Sequence, residues 1–208
     1  MSLNQSLNWR YAVKHFNRQS ISHQQLTNLI ESVRLAPSAF GLQPFKLMVV
    51  ESALLKAKLT PACFEQPQIT SCSHVFVFAA KTRINRHDID EYIFNLARTQ
   101  QSSVQTLAAY KSQIETSILS LTAEQQQKMA EEQTYIALGT LLAAAAIYKI
   151  DTCPMTGFDI ARVNEILALT EQGLSASVIC PVGFRAADDP NAKRAKYRQS
   201  QPELVVNL

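Results

Sequence analysis

Glycine is scarce in this chain: five residues in 208, standing alone at 41, 139, 157, 173 and 183. No G-x-G-x-x-G and no P-loop can be written from them, which excludes the usual glycine-rich nucleotide cradles. Cysteine is scarce as well. Cys63, Cys72, Cys153 and Cys180 are too few and too scattered for a disulfide framework. None forms a C-x-x-C pair, and the four histidines show no metal-ligand spacing, so neither dithiol nor metal chemistry is indicated. Long hydrophobic runs are missing too. The longest, residues 138–150, is interrupted by Thr140 and Lys149 and falls short of the roughly 18 residues that a membrane span needs. The opening MSLNQSLNWRY lacks the basic-then-apolar layout of a signal peptide, so the expected location is cytoplasmic.

What is present is a sizeable apolar fraction. With 47% hydrophobic and 18% charged residues and a net charge of only +3, the chain can bury a proper core, and a single domain over residues 1–208 is expected. The charge is uneven. Lys193, Arg194, Lys196 and Arg198 lie within six residues, and +3 less these four leaves −1 for the rest. An anion site is therefore sought near that cluster before general basicity is invoked. The cluster is short, which argues against nucleic-acid binding.

Periodicity and capping residues give a coarse map. Residues 2–9 read as a short helix and 10–16 as weakly extended. Ser22 with Gln25 makes a capping box, followed by Leu26, Leu29, Ile30 and Val33 on one face, with Pro37 closing the helix. Residues 45–50 read as a buried strand, 52–60 as a helix stopped by Pro61, and 74–80 as the clearest strand. Residues 87–149 contain no proline and one glycine, so they read as mostly helix. The break is expected at Leu121–Thr122, where Thr122 and Gln125 make a second capping box. Residues 123–132 read as a solvated face, 159–169 as an amphipathic helix closed by Gly173, 177–182 as a third strand, and everything after Asp188 as tail. Strands interleaved with helices indicate an α+β layered domain. Residues 137–147 are small or apolar on every side of a helix, which requires burial either in the core or at a subunit interface, and the two are compatible.

Seven blocks stand in a particular order: Arg10-Tyr11-Ala12-Val13-Lys14-His15-Phe16; Ala36-Pro37-Ser38-Ala39 through Phe45 before a strand; Gln66-Pro67-Gln68 before HVFVFAA; Gln133 ahead of the small-residue helix; Pro154-Met155-Thr156-Gly157-Phe158-Asp159; Pro181-Val182-Gly183-Phe184; and Lys196-Tyr197-Arg198. Together they resemble the FMN-dependent nitroreductase family, in its oxygen-insensitive NAD(P)H nitroreductase and dihydropteridine reductase branch, over about residues 3–200. The resemblance implies an α+β three-layer fold with a central mixed sheet flanked by helices. It implies an intertwined homodimer holding FMN at its subunit interfaces. It further implies an oxidoreductase that passes hydride through flavin N5 in a ping-pong cycle, from NADH or NADPH to small-molecule acceptors such as nitroaromatics or quinones.

Site residues carry over by block. The resemblance gives Arg10, Lys196 and Arg198 to the FMN phosphate, where guanidinium forks suit phosphate oxygens. It puts Lys14 near flavin N1 and O2, where negative charge gathers on reduction. Tyr11 and Ala12 line the same wall by their backbones. Pro37, Ser38 and Ala39 match the segment that a second subunit lays beside the ring, and Gln133 a glutamine near the ribityl chain and ring. Gln66 and Gln68 fall in the block at the pyrimidine rim. Pro154, Met155, Thr156 and Gly157 match the loop facing N5, whose backbone N–H groups serve as donors. No catalytic side chain and no metal is implied, and His15 and His74 read as structural. The acceptor pocket is expected to be apolar and lined from about residues 100–120. Three departures stand out: Thr156 where relatives commonly have glutamate, Gly41 where they have asparagine, and Gln68 where some have lysine. A dihydropteridine or free-flavin reductase, or a non-catalytic flavin sensor on the same fold, stand as alternatives.

Overall fold

The computed structural model describes residues 2–208. Helix α1 (Leu3–Trp9) and helix α2 (His23–Arg34) each open with a capping box, Ser2 with Gln5 and Ser22 with Gln25. Such a cap contributes about 1 kcal/mol. Strand β1 (Phe45–Val50) leads through α3 (Ala53–Ala62) and the single turn α4 (Gln68–Ser71) to β2 (His74–Lys81). Helices α5 (Arg86–Thr99), α6 (Ala108–Leu119) and α7 (Ala123–Ile147) follow, then β3 (Asp151–Thr152), α8 (Ile160–Ile166), β4 (Leu174–Gly183) and a final turn α9 (Gln201–Leu204).

The four strands pair antiparallel in the order β1-β2-β4-β3. The sheet is mixed only through a parallel bridge from Ala12 to Thr152 at its β3 edge. Continuous apolar sequence in β2 follows from its central place. Val75, Val77 and Ala79 enter a core shared with α3 and α8, while Phe76 and Phe78 enter a second core shared with α2 and α7. Both faces are covered, giving three layers. A third apolar cluster joins α5 to α6 around Ile89, Ile93, Ile114 and Ile118.

Several expectations need correcting. β1 is only half-buried, because it is an edge strand whose sole fully buried residue is Val50. Pro61 lies inside α3 rather than ending it. In the last turn its missing N–H forfeits one bond, and the helix closes two residues later at Cys63. The run 87–149 breaks twice, not once. Besides the Thr122 cap, Gln101 takes a left-handed φ of 53° and Ser103 caps a tight turn over Val104–Leu107. The 159–169 helix ends early at Ile166, with Ala168 left-handed, before Gly173 (φ 66°) closes the following turn. Helix α7 is not enclosed on all sides: Ala137, Leu138, Leu141 and Ala145 are buried, whereas Tyr135, Ile136 and Ile147 are exposed.

Candidate functional site

Arg10 ends α1, and the chain around it is held tightly. The guanidinium of Arg185 stacks on Trp9 at 4.1 Å and on Tyr11 at 4.4 Å, fixing both neighbours of Arg10. Arg185 is itself held by buried Asp151 through bonds of 2.9 and 2.5 Å. From below, the Lys196 ammonium donates to the carbonyls of Leu7 (2.8 Å), Asn8 (2.9 Å) and Arg10, closing the orphaned C-terminal end of the helix. Arg10 itself is half-buried, and its Nε is fully enclosed without a hydrogen-bond partner. Burial pushes the Arg10 pKa down, and Arg198 adds to that against the pull of Cys180, Cys153 and Asp151. Lys196 is lowered by burial and then by the fields of Arg10 and Arg198. Among the described residues, none of these three cations has a carboxylate within 4 Å.

Ala12 then bridges Thr152 at the β3 edge, with Val13 N–H on the Thr152 carbonyl (3.3 Å), and the chain bends at Lys14. Asp189 anchors this segment. Its carboxylate accepts the backbone N–H groups of Lys14 (2.7 Å), His15 (2.6 Å) and Asn191 (2.9 Å). Burial works to raise the Asp189 pKa, but those three donors outweigh it and hold the carboxyl below its ordinary range. Asn191 also donates to the Ala12 carbonyl (3.1 Å). The stretch after Asp188, expected as tail, is therefore partly structural, since a buried carboxylate needs donors and finds them in the Lys14 segment. Lys14 Nζ lies 3.8 Å from the Cys153 thiol. Burial pushes that thiol up, while Lys14 opposes the shift. Cys63 and Cys72 are raised by burial to about 11 and about 12, which favours the neutral thiol at both.

Two glutamines build the adjoining wall from inside. Gln66 Nε2 donates to the Gly157 carbonyl (2.9 Å) and the Cys63 carbonyl (3.1 Å). Gln68, fully buried, donates to Gln66 Oε1 (2.8 Å) and to Met155 Sδ (3.3 Å). Met155 N–H pairs with Ile179 at 2.7 Å. Among the described residues the N–H groups of Thr156 and Gly157 donate to no protein acceptor, and both residues are exposed. Two unspent donors thus lie at a loop whose backbone is fixed by Gln66.

Pro37, Ser38, Ala39 and Gln133 form a separate group. Gln133 Oε1 accepts the Ala39 N–H (2.8 Å) and its Nε2 donates to the Met129 carbonyl (3.0 Å), while Ser38 Oγ accepts Gln43 N–H (2.9 Å). Tyr11, Ala12 and Met155 pack with the core on one face of the sheet, whereas Ala36 and Ala137 belong to the core on the other.

A group carrying a phosphate dianion fits the first set. An enclosed guanidinium nitrogen without a partner, beside two further cations, is what an anion satisfies. Residues 7–184 match the family model of the nitroreductase family. The chain belongs to the nitroreductase family. A Staphylococcus epidermidis protein is 29% identical over 96% of this chain and 94% of its own length; one from Staphylococcus aureus is 30% identical over 96% and 92%. Both carry the provisional name NAD(P)H nitroreductase. Among solved structures, a nitroreductase from Bacillus subtilis superposes with a TM-score of 0.87 at 22% identity, covering 99% of this chain and 98% of that one. A nitroreductase from Exiguobacterium sibiricum, solved in complex with FMN, superposes at 0.84 and 20% identity over 100% and 98%.

Nitroreductase family members are oxidoreductases, and the fold expected from the sequence is the one observed. Of the residues singled out, Arg10, Tyr11, Ala12, Lys14, Lys196 and Arg198 come together along one chain segment and its C-terminal clasp. Gln66, Gln68 and Pro154 through Gly157 come together by direct hydrogen bonds. Lys196 differs from its expected use, because its three protons all go to carbonyls. The two glutamines likewise spend their amide donors within the protein. Sequence reasoning missed Trp9, Asp151, Arg185, Asp189 and Asn191. The one local signal was Asp188-Asp189-Pro190-Asn191, a turn-forming run in a stretch read as tail.

Proposed function

We propose that the chain is an FMN-dependent NAD(P)H oxidoreductase that works as a homodimer and reduces nitroaromatics, quinones or related acceptors. The observation that carries this reading is the enclosed, unpartnered Arg10 Nε with Arg198 and Lys196 beside it and, among the described residues, no carboxylate within 4 Å of the three cations. Arg10 and Arg198 hold the FMN phosphate, and Lys196 positions Arg10 by closing α1 beneath it. Lys14 lies near flavin N1, held through its backbone by Asp189. The free N–H groups of Thr156 and Gly157 serve the N5 side. When bound, FMN supplies the hydride transfer, and the protein orients it, shields it and stabilises negative charge on its pyrimidine side.

The homodimer reading is supported by two features. The outer face of α7, with Tyr135, Ile136 and Ile147, is exposed and apolar in a single chain. Residues 37–39 are tied to Gln133 of α7, and their neighbours Ala36 and Phe40 pack in clusters other than the one that holds Tyr11, Ala12 and Met155, so a second copy is the natural source of residues 37–39 at each site. No described helix is long and apolar enough to cross a membrane. The decisive experiment purifies the protein and identifies flavin released on denaturation, then adds NADH or NADPH under anaerobic conditions. FMN that bleaches with either nucleotide is expected. FAD, no flavin uptake, or a flavin that neither nucleotide bleaches would overturn the reading.

A further inference from the structure

Residues 38–41 make a tight turn outside the α-helices and strands. Phe40 adopts φ 56°, ψ 3° and Gly41 φ 73°, two consecutive left-handed residues of which only the second is glycine. The left-handed region is unfavourable for phenylalanine, so surrounding structure must impose it. Two phenols supply that constraint. Tyr92 Oη donates to the Phe40 carbonyl at 2.6 Å and Tyr110 Oη donates to the same oxygen at 2.8 Å, using both of its lone pairs. Tyr92 comes from α5 and Tyr110 from α6, and the Phe40 ring packs into the apolar cluster between those helices. On the opposite side, Ala39 N–H is held by Gln133 of α7. The turn is thus suspended between α7 and the α5–α6 pair.

Gly41 belongs to the same device. A Cβ at this position would stand 2.9 Å from Tyr92 Oη, closer than real contacts allow. Glycine here serves the left-handed φ and also clears the path by which the Tyr92 hydroxyl reaches Phe40. Burial, reinforced by the neighbouring Tyr110 phenol, pushes Tyr92 up to about 12, so it remains a protonated donor throughout the working pH range.

We propose that Tyr92 and Tyr110 are positioning residues for the cofactor half-site: through the Phe40 carbonyl they fix the 38–41 turn, so helices α5 and α6 set how residues 37–39 lie against the flavin. This rests on the reading that residues 37–39 border the FMN ring. It ties the helices expected to line the acceptor pocket to the segment beside the cofactor.

The test uses full-length protein with Tyr92→Phe, Tyr110→Phe and the double variant, each keeping its ring in the apolar cluster. Apoprotein titrated with FMN should show affinity lowered about tenfold in the double variant and less in each single, which retains one hydrogen bond. The visible band of bound flavin should move toward that of free FMN. A second, flavin-independent measurement compares Gly41→Ala in the wild type and in Tyr92→Phe. The loss of thermal stability should be smaller in the Tyr92→Phe background, because the atom that the new Cβ meets is gone. If the double variant melts lower yet keeps wild-type FMN affinity and spectrum, the hydroxyls are merely structural and the inference falls alone. Equal Gly41→Ala losses in both backgrounds would also overturn it. A wild-type chain that takes up no FMN overturns the proposed function, and this inference with it.

Discussion

The Lys196 ammonium donates to the carbonyl of Arg10, the residue whose own guanidinium carries an enclosed nitrogen without a partner. A tail cation thus holds in place the backbone of a site cation, 186 residues earlier in sequence. Lys196 is therefore a clasp, distinct from the phosphate-binding pair proposed for Arg10 and Arg198, and the two roles separate experimentally.

Lys196→Met should lower the melting temperature of the apoprotein, because three helix-end carbonyls lose their donor. The cost is about 1–2 kcal/mol for a partly exposed site. Arg198→Ala should leave apoprotein melting nearly unchanged and instead flatten the salt dependence of FMN binding. Apoprotein melting and FMN titrations from low to high salt distinguish them. A Lys196→Met variant with unaltered apoprotein melting would show that the clasp carries no stability.

Arg10 and Arg198 should also differ in weight. Arg10 is half-buried and Arg198 exposed, so solvent screens the second far more. Arg10→Ala is expected to weaken FMN binding by about 2–5 kcal/mol, and Arg198→Ala by under about 1 kcal/mol. Neither should move the flavin potential, since the phosphate is charged in both redox states. Lys14→Met should do the reverse: it should lower the potential and slow hydride uptake, with a smaller effect on oxidised FMN affinity. Flavin-release and redox titrations on the three variants check this. A Lys14→Met enzyme with a normal potential and weakened FMN binding would mean that the two roles are exchanged.

Asp189 makes the Lys14 segment acid-sensitive. Its folded-state pKa lies below the unfolded value of about 3.9, so its contribution to stability is fully present above that pH. It is lost as pH falls through the lower, folded value. Melting temperature should therefore drop on acidification below about pH 4. Asp189→Asn should be less stable at pH 7 but show a shallower fall. Parallel melting curves for wild type and variant from pH 6 to the acid limit would remove Asp189 from this role.

Much of the fold was legible because its signals are local. The capping boxes at Ser22 and Thr122 placed two helix starts to the residue, and the valines and phenylalanines of residues 75–78 marked β2 as a strand. The misreadings share a cause, in that the deciding contact is distant in sequence. Half-burial of β1 depends on its edge position, which no window of residues reports. Asp189 looked like tail because its donors lie 174 and 175 residues away. Arg185 and Asp151 were likewise invisible, since a guanidinium stacked between Trp9 and Tyr11 is a tertiary arrangement. At the site, block order named the candidate residues, while the contact of Lys196 with the Arg10 backbone needed coordinates.

The outer face of α7 tests the homodimer. Ile136 is 44% exposed in the single chain, and Ile147 51%, on the side of the helix opposite buried Leu138 and Ala145. If the chain were a monomer, Ile136→Glu would be an ordinary surface change, within about 0.5 kcal/mol of neutral. If two copies pack on this face, the same substitution buries unpaired carboxylates at the contact, with a penalty of several kcal/mol. The expected result is a variant whose circular dichroism matches wild type but whose light scattering shows loss of the dimer. On the proposed homodimer FMN should leave with the partner, because that reading draws residues 37–39 from the second copy and Arg10 and Lys14 from the first. A flavin-loaded Ile136→Glu monomer would separate cofactor binding from dimerisation. It would then follow that one chain brings both groups to its own flavin.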